Sequence, residues 1–157
     1  MLNISKVSFF NLKGYLRAAR ILYLCGRDMS AKYGINHWNN SYFKTLLIIV
    51  YCSMKNKLFL VSESGSTVGT FQIRKNKDTM YLYKLATMPQ YSGKGIGTGC
   101  MQYVENTAKK SGCSRVMLEV YTKSEHAKAF YAARGYRVTG TKNTLKYSED
   151  IMEKAIL

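Results

Sequence analysis

Four glycines alternate with other residues in Ser92-Gly93-Lys94-Gly95-Ile96-Gly97-Thr98-Gly99. That spacing suits the binding of phosphate. The stretch lies between a strand-like segment ending at Thr87 and a helical pattern beginning near Gly95. Glycine there can take φ > 0 and leaves no side chain in a ligand's way. Successive backbone N–H groups then converge on one concavity, and the start of a helix adds partial positive charge. A P-loop requires GxxxxGK followed by Ser or Thr, but Gly95 follows Lys94. The dinucleotide fingerprint GxGxxG fails as well, because Thr98 or Cys100 stands where its third glycine belongs. A tight strand-to-helix turn with no ligand is the alternative.

No carboxylate pair, histidine cluster or Ser/His/Asp set suggests metal or hydrolytic chemistry. Cys25, Cys52, Cys100 and Cys113 lack CxxC spacing and sit in apolar patterns, so they read as core fillers in a reducing compartment. Expectation therefore places the protein in the cytoplasm, with no metal. The longest apolar run, Leu46 to Cys52, falls far short of the roughly 20 residues of a spanning helix. Lys6, Lys13, Arg17 and Arg20 interrupt the N-terminal apolar stretches, unlike a signal peptide. No membrane partner is expected on those grounds.

The elements that must position the turn are legible from periodicity. Ile4 to Phe10 alternates as a first strand, and residues 12–33 carry a long amphipathic helix ending near Gly34. Ser41 caps a second helix in which Phe43, Leu46, Leu47 and Val50 form one face. Strands over 58–63 and 67–75 flank the turn Ser64-Gly65, and a third spans 79–87. A helix over 95–111 stops at Gly112. It is followed by a strand over 115–121, a short helix over 124–134 capped by Gly135, and strands near 136–141 and 150–156. An antiparallel meander followed by βαβ units gives one domain over 1–157 with a mixed sheet covered by helices.

Three segments carry a family likeness. They are Leu85-Ala86-Thr87-Met88-Pro89 with Tyr91-Ser92-Gly93-Lys94-Gly95-Ile96-Gly97; Leu118-Glu119-Val120; and Ala127, Phe130-Tyr131 and Gly135-Tyr136. In these the chain resembles the GNAT superfamily of acetyl-CoA-dependent N-acetyltransferases. Gly34-Ile35-Asn36-His37-Trp38 is also similar to the helix-connecting segment of one bacterial branch. Two positions depart from the family pattern: Ser92 stands where Arg or Gln is usual, and Ser124 where Asn is frequent.

The resemblance implies an α/β (α+β) fold. Its mostly antiparallel mixed sheet would have about six or seven strands flanked by about four helices, splayed between the fourth and fifth strands. It implies acetyl-CoA as cosubstrate and direct acetyl transfer to a primary amine of a small molecule, peptide or protein. Backbone groups of Leu85, Ala86 and Thr87 would bond the pantetheine amides and polarise the thioester. Ser92, Gly93, Lys94, Gly95, Ile96, Gly97 and Thr98 would hold the pyrophosphate, chiefly through backbone donors. Ser124 would meet the pantetheine arm or the helix start.

The resemblance also assigns the chemical roles. Tyr131 occupies the general-acid position, and a phenol with a pKa of about 10 stays protonated at neutral pH. Glu119 aligns with a glutamate proposed as base in some branches, a water chain being the alternative. His37, Trp38 and Tyr83 would shape the acceptor pocket. A homodimer stays open. The competing reading is a non-catalytic acyl-CoA-binding or sensor domain.

Charge is the unusual bulk property: 24 Lys and Arg against 9 Asp and Glu, formally +15. Such a field attracts nucleic acid, membrane surfaces or a phosphorylated cosubstrate. The basic residues form no block of five or six, so a nucleic-acid partner is not favoured.

Overall fold

A computed structural model describes residues 1–156. In chain order the strands are β1 (Leu2–Lys6), β2 (Lys57–Glu63), β3 (Ser66–Asn76), β4 (Thr79–Thr87), β5 (Arg115–Tyr121), β6 (Arg137–Asn143) and β7 (Ser148–Ala155). The helices are α1 (Leu12–Tyr33), α2 (Tyr42–Ser53), α3 (Ile96–Lys110) and α4 (Glu125–Ala132), with a 3-10 turn at Pro89–Tyr91. The seven strands are ordered β1-β2-β3-β4-β5-β7-β6, a mixed sheet flanked by the four helices. The chain forms two compact units: Met1–Arg74 with Lys84–Tyr103, and Lys75–Tyr83 with Val104–Leu157.

In the first unit, β1 and β3 both pair antiparallel with β2. The Asn11 side chain accepts from Gly14 N–H at 2.9 Å to cap α1, and Gly34 ends that helix in a left-handed turn at φ 65°. The buried side of α1 (Tyr15, Ala18, Ala19, Ile21, Leu22) packs in one cluster with Ile49 of α2 and with Leu58 and Leu60 of β2. Such interlocking of small and large apolar side chains provides most of the stabilisation of a helix on a sheet.

One sequence expectation changes here, and one is given a direction. The first strand is Leu2–Lys6 instead of 4–10: the chain turns at Ser8, whose carbonyl accepts from Asn11 N–H, and Phe9 and Phe10 are exposed. In α2, Thr45 and Ile49 are the buried residues, while Phe43, Leu47 and Val50 are exposed and Leu46 is half-buried. Periodicity groups Phe43, Leu46, Leu47 and Val50 without saying where the core lies: Leu46 packs at its edge, and the other three point outward.

In the second unit, β4 and β5 pair in parallel over Thr79–Leu82 and Arg115–Leu118, and both strands run on beyond that ladder. β7 pairs antiparallel with β5 along its whole length, from Arg115↔Ala155 to Tyr121↔Glu149, and β6 pairs with β7 on its other side. The buried Asp150 carboxylate accepts from Thr122 and Thr141 hydroxyls at 3.4 and 3.1 Å and lies 3.4 Å from Lys128 Nζ. A buried carboxylate is tolerable because it is so partnered.

Candidate active site

The glycine turn belongs to the first unit. Gly93 and Gly95 both adopt the left-handed region, at φ 74° and 81°, and a Cβ on either would meet nothing within 4 Å. The turn is therefore open on its outer side, and side chains are excluded by backbone conformation more than by crowding. The 3-10 turn before it is closed by Tyr91 N–H to Met88 O (2.8 Å) and Ser92 N–H to Pro89 O (3.1 Å). Gly99 N–H bonds to Gly95 O at 3.0 Å, so the N–H groups of Ile96 and Gly97 lie ahead of that bond in the opening turn of α3. Lys94 is exposed, with its ammonium 5.2 Å from the centre of the Tyr91 ring; Ser92 is exposed beside it.

The end of β4 is held against this turn by glycine on a neighbouring strand. A Cβ at Gly69 would stand 3.1 Å from the Ala86 carbonyl oxygen and 3.6 Å from Ile96 Cγ2. Met88 N–H donates to Val68 O at 2.8 Å on the same side. Backbone groups alternate along a strand, so those of Leu85 and Thr87 turn to the opposite edge of β4. Just before them Lys84 takes φ 51°, a left-handed conformation rare for a residue with a Cβ, inside a strand. Such strain costs on the order of 1–3 kcal/mol and persists only where the surroundings impose it.

His37 and Trp38 lie on the connection between α1 and α2. Their rings are 5.5 Å apart, and both residues are half-buried. Burial lowers the His37 imidazole to about 4, so it is neutral at pH 7. The connection is seated on Gly26 of α1, where a Cβ would fall 2.3 Å from the Trp38 carbonyl oxygen. The Cys25 thiol, next to Gly26, is hydrogen-bonded to the Thr87 backbone, and burial pushes it up to about 11. Burial likewise raises Cys100 to about 12. Neither thiol is a ready nucleophile near neutral pH.

Tyr83, Glu119, Ser124 and Tyr131 belong to the second unit. Ser124 is buried at the start of α4; its N–H donates to Tyr121 O, its carbonyl accepts from Lys128 N–H, and its side chain makes no capping bond. Tyr131 is half-buried on α4, its ring edge-on to Phe130 (5.1 Å) and to Tyr136 (5.9 Å). The neighbouring phenol differs in kind. Tyr136 is buried, and its hydroxyl donates to Glu105 Oε1 at 3.2 Å. Burial first, then the Glu105 charge, raises Tyr136 far above the ordinary phenol range.

Glu119 is exposed on β5 and forms an ion pair with Lys142 of β6, Nζ lying 3.3 and 3.2 Å from its two oxygens. The hydrogen bond and charge of Glu119 raise the Lys142 ammonium above its ordinary value, with Tyr83 and Glu149 contributing. Tyr147, between β6 and β7, lies in the same field and is raised chiefly by burial; its ring is edge-on to Tyr121 at 5.6 Å. Sequence reading named Tyr83 and Glu119 but missed Lys142 and Tyr147. No local motif marks them, because their proximity depends on the order β5-β7-β6.

A separate cavity of about 470 Å³ in the first unit is lined by Phe9, Tyr15, Met54, Asn56 and three lysines among others, and by none of the residues chosen from sequence. Among the described residues, no group of three or more His, Cys, Asp or Glu is disposed to hold a metal ion. None of the helices there is long and apolar enough to cross a membrane.

The acetyltransferase (GNAT) family profile matches residues 27–136. The "Uncharacterized N-acetyltransferase MJ1530" of Methanocaldococcus jannaschii is 33% identical over 117 residues, covering 73% of each chain. The "Uncharacterized N-acetyltransferase Mb2688" of Mycobacterium bovis is 33% identical over 89 residues, covering 56% of this chain but only 57% of its own length. Among solved structures, the PaiA N-acetyltransferase from Thermoplasma acidophilum, in complex with coenzyme A, has the same fold. Its TM-score is 0.70 at 22% identity, over 99% of both chains.

Proposed function

The chain belongs to the acetyltransferase (GNAT) family, and on that premise we propose that it transfers the acetyl group of acetyl-CoA directly to a primary amine of a small molecule, peptide or protein. One observation carries the reading: a turn with Gly93 and Gly95 both left-handed and open on the outside leads directly into α3. That backbone suits a pyrophosphate, and the residues present fit acetyl-CoA in its phosphate end. Ser92, Gly93, Lys94, Gly95, Ile96, Gly97 and Thr98 are the proposed pyrophosphate segment. Lys94 supplies the point charge that Ser92, in place of Arg or Gln, does not. The backbone groups of Leu85 and Thr87, which turn away from β3, are proposed for the pantetheine amides, with Ala86 between them facing β3. Ser124 is proposed for the pantetheine arm or for the start of α4.

In the proposed reaction the amine nitrogen attacks the thioester carbonyl, the C–N bond forms and the C–S bond breaks. An N–H aimed at the developing oxyanion contributes about 3–4 kcal/mol in such sites. The leaving thiolate takes its proton from the Tyr131 phenol. Tyr131 suits this role better than Tyr136, whose hydroxyl is buried and already given to Glu105. The proton of the amine passes to Glu119, directly or through water, and Lys142 holds that carboxylate in place. His37, Trp38 and Tyr83 are proposed to line the acceptor side, with His37 as a neutral imidazole.

The test is a titration with acetyl-CoA, coupled to a thiol-release screen across amines, amino-acid derivatives and peptides. Wild type is expected to bind and to release thiol with at least one acceptor class. Gly95→Val is expected to lose binding, since a β-branched residue at φ 81° rebuilds the turn. Unchanged affinity in Gly95→Val overturns the phosphate reading. Tight binding without thiol release from any acceptor favours an acyl-CoA sensor.

A further inference from the structure

The exposed face of α2 is apolar in a way that its own unit does not use. Phe43, Leu47, Val50 and Met54 follow i, i+4, i+7, i+11 spacing, which puts them within about 60° of arc on one side of the helix. They are 67%, 53%, 40% and 70% exposed, and Tyr51 beside them is exposed as well. The only charged residue within α2 is Lys44. α1 extends this surface. The Tyr42 hydroxyl donates to Leu16 O at 3.0 Å and the Tyr42 ring meets Tyr23 edge-on, so the two helices are locked side by side. Leu12 and Leu16, both exposed, follow on the α1 side. Phe9 and Met54 line one cavity, which ties the turn before α1 to the end of α2.

Charge borders that apolar area on α1. Lys13, Arg17 and Arg20 form an exposed i, i+4, i+7 row one position round the helix from Leu12 and Leu16. At the Phe9–Met54 end the cavity is lined by Lys6, Lys55 and Lys57. Residues 1–62 hold nine Lys or Arg and a single acid, Asp28, so they carry +8 of the chain's formal +15. Asp28 is paired with Lys32 at 3.1 Å and lies about 24 Å along α1 from Leu12.

We propose that the α1–α2 face docks on the anionic interface of a phospholipid bilayer. In that arrangement Phe43, Leu47, Met54 and Leu12 enter the headgroup–acyl boundary, and the Lys13–Arg17–Arg20 row meets lipid phosphates. An amphipathic surface with aromatic and aliphatic side chains on one side and cations beside them has the composition of an interfacial element that lies on a membrane without crossing it. A second copy of the chain is a poorer occupant. A two-fold interface would set +8 against +8, with no acid on the face to pair. A nucleic acid would satisfy the basic row but offers nothing to the aliphatic stripe. This proposal does not depend on the acetyltransferase reading.

The experiment is flotation of the full chain with vesicles of phosphatidylglycerol and phosphatidylcholine in equal parts, against phosphatidylcholine alone. Salt is set at about 0.15 M, where screening acts within about 8 Å. The wild type is expected to float only with the anionic vesicles. Lys13→Gln, Arg17→Gln and Arg20→Gln combined are expected to weaken partition about 10²-fold, at about fivefold per charge. Phe43→Ser, Leu47→Ser and Met54→Ser combined are expected to weaken it at least about tenfold, with helicity unchanged. Brominated lipid is expected to quench Phe43→Trp beyond the wild-type Trp38 signal.

Removal of the same charge from the second unit, by Lys109→Gln, Lys110→Gln and Arg137→Gln, is expected to leave flotation nearly intact. An equal loss there would mean nonspecific adsorption and overturn the proposal, as would a stripe variant that floats like wild type. A protein that ignores vesicles but dimerises, with dimers lost in the stripe variant, assigns the face to a second copy instead. Stripe-independent retention on duplex nucleic acid, without flotation, likewise overturns it.

Discussion

Tyr131 and Tyr136 lie with their rings 5.9 Å apart yet are chemically different phenols. Tyr136 is buried and bonded to Glu105, which Lys154 also holds at 2.9 Å, so it works in packing and in a polar network. Tyr131 is half-buried and on the shorter helix. Tyr131→Phe is therefore expected to lower kcat about 10²- to 10⁴-fold and leave acetyl-CoA affinity unchanged, as steady-state kinetics and a binding titration would read. Tyr136→Phe is expected to cost about 1–3 kcal/mol in a urea unfolding curve, because Glu105 loses a buried donor, with turnover largely kept. The reverse pattern would exchange their roles. Glu119→Gln tests the proposed base: kcat is expected to fall on every acceptor, whereas wild-type turnover would leave Glu119 as a partner of Lys142 alone.

A second expectation at the residue scale concerns pH. His37 is held at about 4 when folded, against about 6.5 for an unperturbed imidazole. Between these values the unfolded chain binds the extra proton, so the contribution of His37 to stability falls as pH drops from about 6.5 towards 4. Paired unfolding curves at pH 7 and pH 5 would show the gap between wild type and His37→Asn shifting in favour of the variant in acid. A pH-independent gap would mean that His37 is not buried as a neutral ring. The glycine turn was legible residue by residue, since glycine reaches φ > 0 without the steric cost that other residues meet. The Glu119–Lys142 pair was not. Its members are 23 residues apart and meet over a strand, β7, that the chain adds after both.

At the scale of elements, sequence periodicity was most reliable where one stripe meets one core. α1 and β5 fall on the residues that their patterns indicated, 12–33 and 115–121. The first strand was misplaced because Phe9 and Phe10 continue an apolar alternation while the backbone has already turned at Ser8. In α2 the sequence left one thing open. Its helix and its Ser41 cap are as expected, the Ser41 hydroxyl accepting from Lys44 N–H at 3.3 Å, and Phe43, Leu47 and Val50 face outward while Leu46 meets the core. A hydrophobic period defines a face and is silent on which side the core lies. The seating of the α1–α2 connection was invisible for another reason: it depends on Gly26 having no Cβ, inside a helix where alanine would otherwise be preferred. Gly26→Ala gains about 1 kcal/mol of helix propensity. It also forces the Trp38 carbonyl aside, a steric cost of typically 1–3 kcal/mol or more. Net destabilisation is expected in chemical denaturation, together with a shifted Trp38 emission. A more stable Gly26→Ala would show that the connection does not rest on α1.

For the whole molecule, the excess of basic residues opposes folding and favours the anionic cosubstrate proposed for it. A formal charge of +15 on 157 residues repels itself in the compact state more than in the expanded one. Raising salt from about 0.01 to 0.15 M shortens the screening length from about 30 to 8 Å and should raise Tm by relieving that repulsion. Acetyl-CoA should act through the same field in the opposite sense. At about 100 times its Kd it adds about 2.7 kcal/mol to stability by mass action, or roughly 5–11 °C for a chain of this size. Salt weakens its phosphate contacts, so the increment at fixed acetyl-CoA should shrink as the Tm of the ligand-free protein climbs. Thermal unfolding across a salt series, with and without acetyl-CoA, reads both trends at once. Gly95→Val supplies the control, because it keeps the charge and removes the turn: its Tm should still rise with salt, and its acetyl-CoA increment should vanish. An increment that survives in Gly95→Val would mean that the net charge alone attracts the ligand and that the turn is no cradle.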